Sequence, residues 1–369
     1  MSPYAHITGW GMSVPDRIVT NQEIAQIVET SDEWIVSRTG IRERRIANED
    51  DTTASLATKA ALKALSVANV HPSSIDLIIV STSSPEYLFP ATACLVQDRL
   101  GANHAGAFDL LAACSGFIYA INMASQAIRN GTAKTALVIG SETLSRLINW
   151  KDRNTCILFG DGAGAFVLQA SDDPGGFLSG VMRSDGSGGN LLNIPAGGSA
   201  RPTSLETVHD GLHFIQMNGR EVYRFATRVM SQATQEAVAK AKLTMDDIKL
   251  VIPHQANMRI IEAAAKGLSI PMDRCFVNLD RYGNTSTASI PIATVEAIQR
   301  GLISPGDRIV FVGFGAGLTW GAAVIEWSGP LPGIRKMRPY PIRWYARLRS
   351  ILLRLLRKID GWIWGRQHH

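Results

Sequence analysis

Three residues with useful chemistry each follow a strand-like apolar run. Cys114 lies in AFDLLAACSGF, where the apolar run ends in small residues and a long helical pattern begins. His254 lies in VIPHQAN and Asn284 in RYGNTSTAS. Backbone N–H groups and the helix dipole at a helix N-terminus favour the thiolate, the nucleophilic form of cysteine. We therefore predict that Cys114 is a nucleophile, although a lone cysteine is more often a small core residue.

The other two residues predict what the nucleophile would do. A neutral imidazole and a carboxamide can each donate a hydrogen bond to the same carbonyl oxygen. Such a pair would stabilise the enolate formed when a malonyl thioester loses carbon dioxide, as an oxyanion hole does. Attack of that enolate on an acyl-cysteine would form a carbon–carbon bond. The same residue types also suit a thiol hydrolase, in which His254 deprotonates Cys114 and Asn284 orients the imidazole.

An internal repeat indicates that these residues meet. QAIRNG at 126–131 resembles EAIQRG at 296–301, an offset of 170 that aligns Cys114 with Asn284. SSIDLIIVSTSS resembles DDIKLVIPHQAN at an offset of 173, which aligns Ser81 with His254. The repeat is too long for a solenoid unit and predicts duplication of an α/β half. Open α/β sheets bind ligands at the carboxyl ends of their strands, so we expect all three residues at one shared centre.

Length and alternating strand and helix patterns favour two α/β halves, which we place at 1–173 and 174–330, followed by a tail at 331–369. The four cysteines show neither metal-ligand nor disulfide spacing, which fits a reducing cytosol. The N-terminus lacks the pattern of a signal peptide, and no apolar run is long enough to span a membrane. We therefore expect a cytoplasmic protein without a metal site.

Charge is unevenly placed along the chain. The tail holds ten basic residues and one acid, whereas residues 1–330 hold 27 basic and 31 acidic residues. Residues 1–330, here called the body, are therefore negatively charged overall, which excludes nucleic-acid binding that relies on a net positive charge.

Six motifs occur in one order: TSDEWIVSRTGIRER, AACSGF, FGDGAGA, VIPHQAN, GNTSTAS and FGAGLTWG. In these motifs the chain resembles the β-ketoacyl-acyl-carrier-protein synthase III family of condensing enzymes, from about residue 5 to 327. The resemblance implies a thiolase-like α/β fold whose two duplicated halves form a five-layer αβαβα core, in a homodimer. It also implies an enzyme that starts type II fatty-acid synthesis. Such an enzyme joins an acyl-coenzyme A primer to malonyl-acyl carrier protein, giving 3-oxoacyl-acyl carrier protein, coenzyme A and carbon dioxide.

The resemblance also implies roles for particular residues. Cys114 would be acylated, His254 and Asn284 would bind the malonyl thioester carbonyl, and the backbone N–H groups of Cys114 and Ala316 would form an oxyanion hole. Phe89 would line the acyl pocket across the dimer. Coenzyme A is a substrate in this family, so no cofactor is expected.

Two further sets of residues would bind the substrates. The coenzyme A contacts implied by the resemblance are Trp34 and Arg153 at the adenine, Arg38 at the phosphates, and Asn257 at the pantetheine arm. The implied carrier-protein contacts are Gln255, Ala256, Asn257, Met258 and Arg259. Arg259 is the clearest contact for an acidic partner.

Related activities differ in these motifs. A thiolase needs a second cysteine near the C-terminal Gly-rich turn, and FGAGLTWG has none. Elongating ketosynthases use two histidines, whereas the third residue here is Asn284. Starter ketosynthases and acyltransferases of polyketide or secondary metabolism share the same three residues and stay open as an alternative. A non-catalytic scaffold would be expected to have lost one of the three. The primer's acyl chain is also left open.

The tail departs from the family. Apolar residues recur at helical spacing from Pro341 to Trp362, at Tyr345, Leu348, Leu352, Leu355, Ile359 and Trp362. Basic residues occupy the other side: Arg343, Arg347, Arg354, Arg357 and Lys358. Together with Trp344 and Trp364, this pattern predicts a basic amphipathic helix in peripheral contact with an anionic membrane through residues 341–364. Packing of the helix on the enzyme's own acidic body, or on a partner, is the alternative.

Overall fold

The computed structural model of the chain describes residues 3–329, 348–357 and 359. The strands in chain order are β1 (Tyr4–Ser13), β2 (Ile18–Thr20), β3 (Glu43–Arg45), β4 (Leu77–Ser81), β5 (Gly106–Leu110), β6 (Thr135–Glu142), β7 (Gly162–Ser171), β8 (Gly176–Ser184), β9 (Leu192–Asn193), β10 (Gln216–Met217), β11 (Leu250–Pro253), β12 (Arg308–Gly315) and β13 (Thr319–Glu326). The helices are α1 (Asn21–Ala25), α2 (Asp32–Thr39), α3 (Thr53–Ala68), α4 (Thr92–Leu100), α5 (Gly116–Arg129), α6 (Arg153–Cys156), α7 (Leu205–His209), α8 (Gly219–Lys240), α9 (Met258–Gly267), α10 (Leu279–Tyr282) and α11 (Ser289–Gln299).

Two sheets repeat one topology. The first has the order β1-β7-β6-β4-β5 and the second the order β11-β12-β13-β8. In the first, β7 is antiparallel to β1 and β6, while β6, β4 and β5 run parallel. In the second, β13 is antiparallel to β8 and β12, and β11 runs parallel to β12. A single parallel bridge between Val251 and Cys275 takes the place of a fifth strand. This is the duplication that the internal repeat predicts.

Helices and sheets alternate in five layers. Helices α5 and α11 lie between the sheets, where Phe117 and Ile290 share one apolar cluster with Phe166 of the first sheet and Phe311 of the second. Helices α3 and α4 cover the outer face of the first sheet. Helices α8 and α9 cover the outer face of the second. The carboxyl ends of β4, β5 and β11 therefore point towards one region between the halves.

The outer helix α3 shows how sequence sets these boundaries. Thr52 caps its N-terminus by accepting from the Ser55 N–H, and the Ser55 side chain accepts in turn from the Thr52 N–H. Asn69 ends the helix in the left-handed conformation, at φ 55°. Six alanines lie between these caps and allow the helix to pack closely on the sheet.

Part of the tail is helical. Residues 348–357 form a helix, here called the tail helix, which lies against α4. The Ser350 hydroxyl donates to the Asp98 carboxylate at 2.9 Å. Other residues of the predicted tail helix lie outside the described residues: Pro341, Arg343, Trp344, Tyr345, Arg347, Trp362 and Trp364. The side chain of Lys358 also lies outside the description.

Candidate active site

Cys114 lies on the connection from β5 to α5. Ala113 adopts a left-handed backbone conformation, at φ 46°, so the chain turns sharply after the strand. A single 3₁₀ turn, Ala113–Ser115, carries the cysteine, and α5 begins at Gly116. The thiol is buried, with 8% of the residue exposed. The strand-to-helix junction expected from the sequence is therefore present.

A second backbone turn lies against the cysteine. A Cβ at Gly315 would come within 2.6 Å of the Cys114 backbone nitrogen, so this close approach requires glycine. The Thr319 hydroxyl lies 3.0 Å from the Ala112 carbonyl and 2.9 Å from the Ala316 carbonyl, which ties the two turns together. Cys114 and Ala316 consequently line the same cavity.

His254 follows β11 directly and is 1% exposed. Its backbone N–H donates to the Val312 carbonyl at 2.7 Å, which extends the pairing of β11 with β12. The ring packs edge-on against Phe314, with the two ring centroids 5.5 Å apart. Nδ1 lies 2.7 Å from the Ser289 hydroxyl, and Nε2 is buried without a hydrogen-bond partner among the described residues.

The hydrogen bond with Ser289 is compatible with a His254 tautomer that carries its proton on Nε2. The Ser289 oxygen accepts the Gln255 backbone N–H at 3.3 Å, so the hydroxyl proton is available for His254 Nδ1. An Nδ1 that accepts leaves the proton on Nε2. Burial lowers the pKa of His254 to about 3, so the ring is neutral. In that tautomer, the unpaired Nε2–H is the donor that enolate stabilisation requires.

Asn284 is fixed in a complementary way. Its backbone N–H donates to the Leu158 carbonyl at 2.8 Å, and its carbonyl accepts from the Gly160 N–H at 3.0 Å. The side-chain Oδ1 accepts from the Ser286 N–H at 2.8 Å. The amide oxygen is therefore engaged with the backbone, and the NH₂ group is the end that can donate to a ligand.

The ionisation of Cys114 differs from the sequence expectation. Burial raises the pKa of its thiol to about 12, against a hydrogen bond from Ser286 that lowers it. Burial therefore opposes the thiolate form that a helix N-terminus favours. Burial thus disfavours both charged members of the thiolate–imidazolium pair that a thiol hydrolase uses.

Cys114 stands where two cavities meet. One is a polar cleft of about 960 Å³, whose inner end is lined by Cys114, His254 and Asn284. The other is a chamber of about 490 Å³ with mostly apolar walls, including Leu144, Leu147 and Ile215. A substrate can therefore reach the Cys114 thiol from the polar cleft, and an apolar group attached to the thiol can lie in the chamber.

The comparisons with known proteins agree with this geometry. A family model described as 3-oxoacyl-[acyl-carrier-protein (ACP)] synthase III matches residues 108–186, and one described as its C terminal matches residues 238–327. A β-ketoacyl-[acyl-carrier-protein] synthase III from Roseiflexus sp. (strain RS-1) is 51% identical over 328 residues, covering 89% of this chain and 100% of the relative. This chain belongs to the 3-oxoacyl-[acyl-carrier-protein] synthase III family.

Solved structures show the same relationship. The 3-oxoacyl-[acyl-carrier-protein] synthase III from Aquifex aeolicus VF5 superposes with a TM-score of 0.82 at 47% identity, covering 88% of this chain and 100% of that one. The priming β-ketosynthase of the R1128 polyketide pathway superposes with a TM-score of 0.83 at 35% identity, covering 89% and 98%. The predicted family and thiolase-like fold are confirmed. So is the predicted enzyme class, a condensing acyltransferase of fatty-acid biosynthesis.

Two of the four expected coenzyme A contacts of this synthase III family member line the polar cleft, whereas Trp34 and Arg153 do not. Arg38 and Asn257 line the cleft, and the Asn257 amide donates to the Arg38 carbonyl at 2.9 Å. The Arg153 guanidinium lies 4.9 Å from the centre of the Trp34 ring, and that of Arg38 lies 5.3 Å from it. Both are cation–π contacts. An adenine entering between Trp34 and Arg153 would therefore have to displace the arginine.

The expected carrier-protein segment needs one correction. Gln255 is 1% exposed, and its amide donates to the Pro253 and Phe276 carbonyls at 2.8 and 3.0 Å. Its side chain is thus committed to the core and cannot contact a partner. Ala256 is also buried but lines the cleft, and Asn257 caps α9. Met258 and Arg259 begin that helix, and Arg259 is exposed at the cleft with its guanidinium 5.6 Å from the Tyr223 ring centre.

Phe89 is 87% exposed and is not among the residues lining the chamber within this chain. Its expected place in the acyl pocket depends on a second subunit and stays a prediction. Among the described residues, no group of three or more His, Cys, Asp or Glu side chains could hold a metal ion.

The structure adds residues that sequence reasoning missed. Ser289 forms a hydrogen bond with His254 Nδ1, and its only sequence signal is its place in the GNTSTAS motif. Glu142, fully buried, accepts from the Ser83 N–H at 3.1 Å and the Ser84 hydroxyl at 2.6 Å, and burial raises its pKa to about 7. Arg220 lines the cleft next to the N-terminus of α8, and nothing in the sequence marked it.

Proposed function

We propose that this enzyme transfers an acyl group from coenzyme A to Cys114 and then condenses it with malonyl-acyl carrier protein. The observation that carries this proposal is the position of Cys114 between a polar cleft and an apolar chamber. A pantetheine arm entering through the cleft brings its thioester to the thiol. The acyl chain occupies the chamber, away from water.

Acylation exchanges one thioester for another. The Cys114 sulfur attacks the acyl carbonyl, and the carbonyl oxygen accepts the Cys114 and Ala316 backbone N–H groups, which serve as the oxyanion hole. The intermediate collapses with release of coenzyme A, whose sulfur takes up the proton that the cysteine loses. Coenzyme A is therefore a substrate, and the reaction needs no cofactor.

Condensation uses the second pair of donors. The malonyl thioester carbonyl accepts from His254 Nε2 and from the Asn284 amide. Loss of carbon dioxide leaves an enolate whose oxygen both donors stabilise. The enolate carbon attacks the acyl-cysteine, and the Cys114 sulfur leaves and regains a proton from solvent. The products are 3-oxoacyl-acyl carrier protein and carbon dioxide.

We also propose a cytoplasmic homodimer. Strand β5 is an edge of the first sheet, and large apolar side chains near it are strongly exposed in the single chain, including Leu88 at 85%, Phe89 at 87% and Leu111 at 78%. An exposed edge strand flanked by apolar side chains favours pairing with a second copy. That arrangement would bring Phe89 of each subunit close to the other's chamber.

Product identity tests the proposed function. The enzyme is incubated with acyl-coenzyme A primers of acetyl, branched and longer chains and with ¹⁴C-malonyl-acyl carrier protein. We expect labelled 3-oxoacyl-acyl carrier protein with equimolar carbon dioxide. Transfer of the acyl group to another acceptor, without a carbon–carbon bond, would favour the starter acyltransferase alternative.

The structural similarity to the R1128 priming ketosynthase keeps a polyketide starter function as the second candidate. The primer giving the highest kcat/KM separates the pathways further.

Arg259 gives a test of the carrier-protein surface. Carrier proteins of this class are acidic, so we expect Arg259→Glu to reduce kcat/KM for malonyl-acyl carrier protein by about tenfold and to flatten its salt dependence. The acyl-coenzyme A step should change less. Lys266→Glu is the matched control, because Lys266 is an exposed cation at the other end of α9. Equal losses for both substrates in Arg259→Glu would refute a carrier-specific contact.

A further inference from the structure

The tail helix docks on the enzyme through polar side chains. The Ser350 hydroxyl donates to the Asp98 carboxylate at 2.9 Å, and Ser350 is 8% exposed. Arg354 pairs with the same carboxylate at 3.6 Å and donates to the Ser350 hydroxyl at 2.8 Å. Arg349 donates to the Asn103 side chain in the loop after α4. The polar side of this helix therefore faces the body.

The apolar side of the same segment faces away from the body. Its residues are between 46% and 58% exposed: Leu348, Ile351, Leu352, Leu355, Leu356 and Ile359. At about 100° per residue they share one side of the helix, opposite Ser350 and Arg354. The tail helix therefore packs on the enzyme's own body, which was the alternative expectation, but it does so through its polar side, and its apolar side stays exposed.

Charge decides between the remaining occupants of this apolar surface. Residues 331–369 hold ten basic residues and one acid, and two of the ten, Arg349 and Arg354, contact the body. If two copies of this chain paired through this surface, two basic segments would lie next to each other. The cores of protein interfaces are depleted in charged residues, so this pairing is disfavoured. An anionic lipid surface has the opposite charge and accepts apolar side chains below its headgroups. The tail sequence also contains Trp344, Trp362 and Trp364, a residue type that favours the lipid–water interface.

We propose that the tail helix lies between the enzyme body and an anionic membrane surface. Its polar side contacts Asp98 and Asn103 of the body, and its apolar side enters the headgroup region of the membrane. The contact is peripheral, and among the described residues no helix is long and apolar enough to cross a membrane. The contact holds the enzyme at the lipid surface without contributing to the reaction.

Vesicle co-sedimentation tests the proposal. The full chain and a chain truncated after Pro330 are mixed with vesicles of phosphatidylglycerol and phosphatidylcholine, or of phosphatidylcholine alone. We expect the full chain to sediment with the anionic vesicles at low salt and to be released at high salt, because salt screens the attraction. Truncation should reduce binding more than tenfold and leave condensation unchanged. The Roseiflexus relative is matched over its whole length by 89% of this chain, so the body is expected to fold alone.

Point variants assign the effect to the apolar surface. Leu352→Glu combined with Leu355→Glu should abolish vesicle binding and retain condensation. Leu205→Glu is the matched control, because Leu205 is 92% exposed on the body, and it should bind as the unmodified protein does. Equal sedimentation of full and truncated chains would overturn the proposal. The proposal would also be overturned if the full chain did not bind vesicles and truncation lowered the oligomeric mass. That result would assign the apolar surface to a contact with a second copy.

Discussion

Cys114→Ser enzyme should bind acyl-coenzyme A normally but should not become acylated. His254 lines the same cleft, but burial lowers its pKa to about 3, so it is not a strong base for the side chain at position 114. A serine hydroxyl is far less acidic than a thiol and is not nucleophilic without such a base. We expect acylation to fall by about 10³-fold or more, as when a nucleophile is removed from other acyl-transfer enzymes. Intact-protein mass spectrometry after incubation with acyl-coenzyme A measures this directly.

The other cysteines provide the control for that experiment. Cys94 is exposed, whereas Cys156 and Cys275 are buried away from both cavities. Cys94→Ser should acylate at the unmodified rate. A stable acyl adduct mapped to any cysteine other than Cys114 would refute the assignment of the nucleophile.

His254→Ala and Asn284→Ala should separate the two half-reactions. Each variant loses one donor to the enolate oxygen, and removal of one oxyanion donor typically costs about 10²–10³ in rate. We expect decarboxylation of malonyl-acyl carrier protein to fall by that amount while acylation of Cys114 stays measurable. The two rates are measured separately, by release of ¹⁴CO₂ and by the mass of the acyl-enzyme.

The position of Asn284 allows a closer test. In Asn284→Asp one carboxylate oxygen can still accept the Ser286 N–H, but the group facing the ligand can no longer donate. Decarboxylation should therefore fall at least as far as in Asn284→Ala, although the side chain keeps its shape. If His254→Ala instead eliminates acylation and leaves decarboxylation intact, His254 acts as a base for the thiol.

The overall design of the site was predictable from the sequence because duplication leaves a regular signal. The aligned halves place Cys114 opposite Asn284, and the polar cleft brings both together with His254. Apolar runs that end in polar or reactive residues mark the carboxyl ends of strands, so residues distant in sequence could be assigned to one centre.

Properties that depend on tertiary packing were not predictable. The sequence shows that a helix begins just after Cys114. It does not show the burial that raises the thiol pKa, because the turn at Gly315 in the other half packs against Cys114. Gln255 lies only four residues before exposed Arg259, yet its side chain points into the core. The apolar side of the tail helix was predicted, but its orientation is set by Asp98 on α4, more than 250 residues earlier.

A single-turnover chase tests the central claim most directly. The acyl-enzyme is prepared from ¹⁴C-acyl-coenzyme A, freed of excess substrate, and mixed with unlabelled malonyl-acyl carrier protein. The label should leave Cys114 and appear in 3-oxoacyl-acyl carrier protein, with one carbon dioxide released per acyl group. Label that stays on the enzyme, or that is released as the free acid, would contradict decarboxylative condensation at this site.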